Sequence, residues 1–223
     1  MAGAATLPAV PGVSFLLPIW FDLAAVFLFA LTGVWAAARR GYDVVGAFVL
    51  AFATGVGGGL LRDAIFLQEL PLVMKDPRYL YAVFAALLVG VLVQRLADRF
   101  EALIAYVDAA AIGVYAVYGA NKSLVAGVSP EAAVLVGLIN AVGGGLIRDV
   151  LVREEPLLLK PGQLYVLATL IGCIAFVVLS HVYGVDVEVA AYFSIALTLL
   201  LRSLAIRFDW RTSAFGSWRR GPD

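Results

Sequence analysis

The sequence predicts an all-α polytopic membrane protein: seven transmembrane helices, as two inverted three-helix repeats plus a seventh helix, N-outside and C-inside. Three observations carry this. The 223 residues are 63% hydrophobic and only 14% charged, with a mean hydropathy of +0.97; soluble domains are about 45–50% apolar. The apolar residues form continuous runs of the ~20 residues a spanning helix needs, not the alternation of a membrane barrel. Finally, Thr54-Gly-Val-Gly-Gly-Gly-Leu-Leu-Arg-Asp63 returns 86 residues later as Asn140-Ala-Val-Gly-Gly-Gly-Leu-Ile-Arg-Asp149.

The first helix is expected over Ile19–Ala38, closed by Arg39-Arg40-Gly41. The second starts after Asp43 and runs through Val44–Leu61, across Gly57, Gly58 and Gly59. A polar connection with Pro71, Lys75 and Asp76 leads to the third, Tyr79–Gln94. The fourth is Ala102–Ala120, ending near Asn121-Lys122. The fifth opens at Pro130-Glu131, a proline suited to the first helical turn with an acid beside the helix N-terminus. It runs through Ala132–Ile147 across Gly143, Gly144 and Gly145. The sixth is Gly162–Ser180. The seventh, Val189–Phe208, is weakened by Arg202 and Arg207.

The repeat extends beyond the glycines. At the same offset Asp22 matches Asp108, Gly33 matches Gly119, Gly41 matches Gly127 and Glu69 matches Glu155. With one-residue slips, Pro71 corresponds to Pro156 and Tyr81 to Tyr165. Three crossings per unit is an odd number, so the second unit enters from the opposite side: an inverted repeat about an axis in the membrane plane. The expected division is a tail over 1–18, repeats over 19–100 and 101–186, the seventh helix over 187–208 and a basic tail over 209–223. With the N-terminus outside, 12 Lys and Arg fall on inner segments and 4 on outer ones, the asymmetry that sets orientation.

Three adjacent glycines inside a helix cost about 1 kcal/mol each relative to alanine. Placed twice at matched points, they are expected to break the second and fifth helices. Freed carbonyls and amides at such breaks are tolerated only against protein or a water-filled cavity. The competing reading is close packing of small residues. Arg62 and Asp63, like Arg148 and Asp149, follow the glycines within one turn. They read either as a charged vestibule or as interfacial helix ends with snorkelling arginines. Neighbours in each pair point about 100° apart on a helix and are expected to find other partners. Asp22 and Asp108 read either as charge partners of an interfacial arginine or as direct ion contacts. Lys122 has no counterpart at Ala36 and reads either as a pore plug or as an interfacial anchor. The formal net charge is zero, so no nucleic acid is implied. The single Cys173 excludes an intrachain disulfide. No metal-ligand cluster, phosphate loop or nucleophile–base pair is recognisable, so neither an enzyme nor a cofactor is expected.

Two three-helix repeats, each with Gly-Gly-Gly-x-x-Arg-Asp in its second helix and a proline downstream, plus a seventh helix, resemble the prokaryotic branch of the TRIC family. These are the trimeric intracellular cation channels. The resemblance covers roughly residues 19–208. It implies a homotrimer in a prokaryotic plasma membrane, in contact with membrane lipid, with one pore per protomer. The pore would be lined at the glycine bends, Gly57, Gly58, Gly59, Gly143, Gly144 and Gly145. It would pass monovalent cations, chiefly potassium, with sodium as a second candidate. Lys122 falls near the basic position of a Lys-Glu-Val motif of the animal members, but here the stretch reads Asn121-Lys122-Ser123. A secondary transporter of a small solute such as glycine is the alternative, and a purely structural scaffold the third reading.

Overall fold

A computed structural model describes residues 15–93, 101–160 and 164–210. The expected tails, the Arg95–Arg99 segment and the start of the sixth predicted helix lie in large part outside the described residues. In chain order the helices are α1 (Trp20–Arg39), α2 (Val44–Leu60), α3 (Leu72–Lys75), α4 (Arg78–Leu92), α5 (Glu101–Val125), α6 (Pro130–Leu151), α7 (Tyr165–Val177) and α8 (Val187–Arg207). One π-helical turn, Leu61–Phe66, continues α2, and another, Val178–Val182, continues α7. Among the described residues, six helices are long and apolar enough to cross a membrane. The predicted third span corresponds to α4, whose 15 residues are shorter than that.

Local chemistry explains the boundaries. The Asp43 carboxylate accepts the Gly46 N–H at the start of α2, and the Ser129 hydroxyl accepts the Ala132 N–H at the start of α6. These caps satisfy amides that the first turn leaves unpaired. The first helix of each half ends at a matched glycine, Gly41 with φ +71° and Gly127 with φ +83°, a left-handed stop that glycine adopts without a Cβ penalty. This stop lies further on than expected for α5. The helix passes Ala120 and carries Asn121 and Lys122 inside it, ending at Val125. In the connection before α4, Asp76 accepts the Arg78 guanidinium at 2.6 Å. That hydrogen bond holds the Asp76 carboxyl below the usual carboxylate range.

Helices α1 and α5 form the centre. Each packs on the second helix of its own half, α1 on α2 and α5 on α6; α1 crosses α5, and α2 crosses α6. Phe29 and Tyr115, matched positions, stack at the centre with centroids 5.3 Å apart. Helix α8 covers α5 and α7 from outside. Between helices in lipid, association rests on van der Waals packing and hydrogen bonds rather than on expulsion of water, so small residues at the crossings matter. Gly33 faces α2, where a Cβ would lie 2.9 Å from the Ala51 Cα, and Gly119 faces Asn140 on α6. Both therefore serve packing within the chain.

The triple glycines depart from expectation. Helix α2 is continuous through Gly57–Gly59, and α6 is continuous through Gly143–Gly145. No break frees backbone groups at these points. The glycines instead let the two helices touch backbone to backbone. A side chain on Gly58 would overlap the Asn140 carbonyl oxygen, and one on Gly144 would overlap that of Thr54. A Cβ on Gly143 would lie 3.2 Å from the Gly58 Cα. At Gly58 and Gly144 the helical cost is offset by an approach that alanine forbids, of the kind found where helices cross closely.

Candidate functional site

On either side of this contact lies a buried charge cluster, each assembled the same way. In the first, Arg62 Nε donates to Asp63 Oδ1 at 2.7 Å, and Arg62 Nη1 donates to Asp22 Oδ1 at 3.1 Å. Arg62 and Asp63 are each only 1% exposed. Asp22 also accepts the Tyr79 hydroxyl. In the second, Arg148 Nε donates to Asp149 Oδ1 at 2.9 Å, and Arg148 Nη1 to Asp108 Oδ1 at 3.2 Å.

Two expectations are corrected here. The adjacent Arg–Asp pairs do neutralise each other, because the long arginine stem turns back along the helix and brings Nε to the next residue's carboxylate. And the arginines do not snorkel: each lies buried within the helix bundle, between a carboxylate of the first helix in its half and its own neighbour. Asp22 and Asp108 are the charge partners expected of them. Isolated, any of these charges would carry a large desolvation penalty, which pairing within each cluster offsets.

Asp63 and Asp149 have a second task. Asp63 Oδ2 accepts the backbone N–H of Leu72 at 3.0 Å, and Asp149 Oδ2 that of Leu157 at 3.1 Å. Each carboxylate thus ties the residue after Pro71 or Pro156 back to its helix. The recurrence of a proline after the helix in both halves, despite the one-residue slip between them, has a physical cause in these bonds.

Each cluster is completed from the other half. Arg62 lies under the Tyr118 ring at 5.1 Å, and Arg148 Nη1 donates to the Thr32 hydroxyl at 2.8 Å. Tyr118 and Thr32 are matched positions. Asn140 donates through Nδ2 to the Tyr115 carbonyl at 2.7 Å, and its Oδ1 lies 3.5 Å from Arg62 Nη1. Lys122 Nζ reaches Asp63 Oδ1 at 2.7 Å and Glu69 Oε2 at 3.3 Å. It joins the first cluster rather than anchoring at an interface. A narrow crevice beside Arg62 and Asp63 is lined by Gly59, Leu72, Tyr79 and Tyr115.

Thr32, Tyr79 and Tyr118 are not singled out as cluster members by the sequence. Tyr79 was findable: at the plain offset of 86 it, not the exposed Tyr81, matches buried Tyr165.

Continuous apolar helices around two buried Asp–Arg–Asp clusters define a multi-pass helical membrane protein with paired charge centres. The chain belongs to the family described as "Glycine transporter", whose model matches residues 19–95 and 105–181. It is 34% identical over 201 residues to the UPF0126 inner membrane protein YadS of Escherichia coli K12, covering 90% of this chain and 97% of that protein. It is 37% identical over 155 residues to a UPF0126 membrane protein of Deinococcus radiodurans, covering 69% and 72%. Among solved structures it resembles the TRIC trimeric intracellular cation channel orthologue from Rhodobacter sphaeroides, with TM-score 0.80 and 29% identity over 85% of this chain and 97% of that one. A second structure, described in terms of conductance through TRIC cation channels, gives TM-score 0.76 and 30% identity over 93% and 98%. The resemblance read from the doubled motif therefore holds, and the chain is a multi-pass protein of the prokaryotic plasma (inner) membrane.

Proposed function

We propose that this chain is a channel for monovalent cations, chiefly potassium, assembled as a homotrimer with one pore per protomer along the seam between α2 and α6. The observation that carries this is the pair of buried Asp–Arg–Asp clusters flanking that seam at matched positions. Charged groups held inside a membrane bundle are costly and mark ion or substrate pathways. The names of the solved neighbours support the same reading. In it, Gly57, Gly58, Gly59, Gly143, Gly144 and Gly145 are the constriction, closed here by the backbone contacts at Gly58, Gly143 and Gly144. Arg62, Asp63, Arg148 and Asp149 are the charged approaches on its two sides. Lys122 holds by its ammonium group the place on Asp63 and Glu69 that a permeant cation would take.

Purified protein in planar bilayers under a potassium chloride gradient is expected to show unitary openings with a cation-selective reversal potential. Lys122→Gln removes the tethered cation and should raise the unit potassium conductance, by at least about twofold if the ammonium competes with a weakly held ion. Equal conductance in the variant would remove Lys122 from the ion path. One observation favours a second reading, a carrier of a small solute such as glycine: the description attached to the matching family. Saturable uptake of labelled glycine into liposomes without unitary openings would establish that reading instead.

The proposed topology has seven spans, with α4 among them, N-terminus outside and C-terminus inside. Its test uses the buried, single Cys173, which leaves little background for thiol labelling. Tyr42, on the loop after α1, and Met74, on α3, are both exposed. In intact cells a membrane-impermeant maleimide should label Met74→Cys and spare Tyr42→Cys. The reverse pattern would invert the orientation.

A further inference from the structure

The two matched triads, Asp22–Arg62–Asp63 and Asp108–Arg148–Asp149, each hold one more acid than base. In the first, Lys122 corrects the imbalance in direct contact with Asp63 at 2.7 Å. Facing the second triad, the matched position is Ala36, which carries no charge. A cation comes instead from α8. Arg202 is 3% exposed and lies over the Tyr165 ring at 4.9 Å. The Tyr165 hydroxyl in turn lies beside the second triad: a Cβ on Gly145 would be 3.1 Å from that hydroxyl and 3.8 Å from Arg148 Nη2.

Unlike Lys122, Arg202 is held off its carboxylate. Among the described residues it forms no ion pair, and its Nε and Nη1 have no hydrogen-bond partner. The same is true of Asp108 Oδ2, whereas both oxygens of Asp22 are engaged in the first cluster. Buried polar atoms of this kind require water or an ion. The first cluster is thus closed by direct contacts, and the second keeps a guanidinium and a carboxylate oxygen open.

We infer that Arg202, from the helix outside the repeat, is a specificity-determining residue of the second cluster: across a hydrated gap it neutralises the triad and weakens the hold of the Asp108 carboxylate on passing cations. This rests on the channel reading for its electrical consequence. Removing the guanidinium leaves the second cluster with a net negative charge and an unopposed carboxylate oxygen.

The test compares wild type, Arg202→Gln and Arg202→Lys in bilayers under a potassium chloride gradient. Arg202→Gln should raise the potassium-to-chloride permeability ratio by about twofold or more, the scale of one lost unit charge within a nanometre in a mainly aqueous path. Arg202→Lys should keep the wild-type ratio. An unchanged ratio in Arg202→Gln, beside a conducting wild type, overturns the inference. A wild type that passes no current speaks against the channel itself, and the charge pairing is then decided by thermal melting in detergent. Arg202→Gln should lower the melting temperature, and in an Asp108→Asn background the further loss from Arg202→Gln should be clearly smaller. Simply additive losses overturn the inference.

Discussion

Gly58→Ala and Gly144→Ala should each destabilise the protein by on the order of 3 kcal/mol, while Gly59→Ala should be neutral or slightly stabilising. The added methyl at Gly58 would overlap the Asn140 carbonyl oxygen and that at Gly144 the Thr54 carbonyl oxygen. Both obstacles are helix backbone, so α2 and α6 must separate, and overpacking of this kind costs about 1–3 kcal/mol or more. At Gly59 the nearest atoms to a new Cβ are Arg62 Nη2 at 3.7 Å and the Tyr115 hydroxyl at 3.9 Å. These are ordinary contacts, and alanine gains about 1 kcal/mol of helix propensity over glycine. The measurement is thermal or denaturant unfolding of purified protein for all three variants. If Gly59→Ala lost as much as Gly58→Ala, the glycines would be acting through backbone freedom and not through close approach.

The second large effect is expected at Asp22. Its carboxylate takes two guanidinium contacts from Arg62, at 3.1 and 3.2 Å, and the Tyr79 hydroxyl. Asp22→Ala leaves the Arg62 guanidinium with a weaker set of partners and the Tyr79 hydroxyl without its acceptor, in the middle of the helix bundle. Breaking a buried pair by removing one partner typically costs about 3–5 kcal/mol. Asp22→Asn, which keeps shape and an acceptor oxygen, should lose less. Combining Asp22→Ala with Arg62→Met should recover part of the loss, since no charge is then stranded on that side. A double variant as unstable as the sum of the two single ones would show that Asp22 and Arg62 do not act as a unit.

Much of this arrangement was legible before any coordinates. The offset of 86 matched Asp22 to Asp108 and Arg62 to Arg148, and the charge logic of a membrane bundle made partners of them. The apolar runs placed the helices, with boundary errors of a few residues. What could not be read was which of two costs the glycines were meeting. Helix propensity and helix–helix approach both concern the same residues, and only the partner surface decides between them. That surface, at Asn140 and Thr54, lies on the other helix. The intrahelical Arg62–Asp63 pairing was missed for a related reason. Angular spacing describes where Cα–Cβ bonds point, but an arginine has enough reach to double back. Arg202 reads from the sequence only as an interruption at the end of an apolar helix, because its helix lies outside the repeat and no matched position points to a partner. Lys122 lies within the last turn of α5 rather than just past it, because the helix runs through the polar Asn121-Lys122-Ser123 stretch to the left-handed stop at Gly127.

The reciprocal completion of the two clusters also constrains how the protein is made. A ribosome delivers Asp22, Arg62 and Asp63 before it has synthesised Tyr118 or Lys122. During that interval the first half carries an acid-rich triad whose ammonium partner does not yet exist. Its early helices must therefore wait, beside the insertion machinery or near water, until α5 arrives and docks Lys122 onto Asp63. Maturation of the first half is in this way timed by the synthesis of the second.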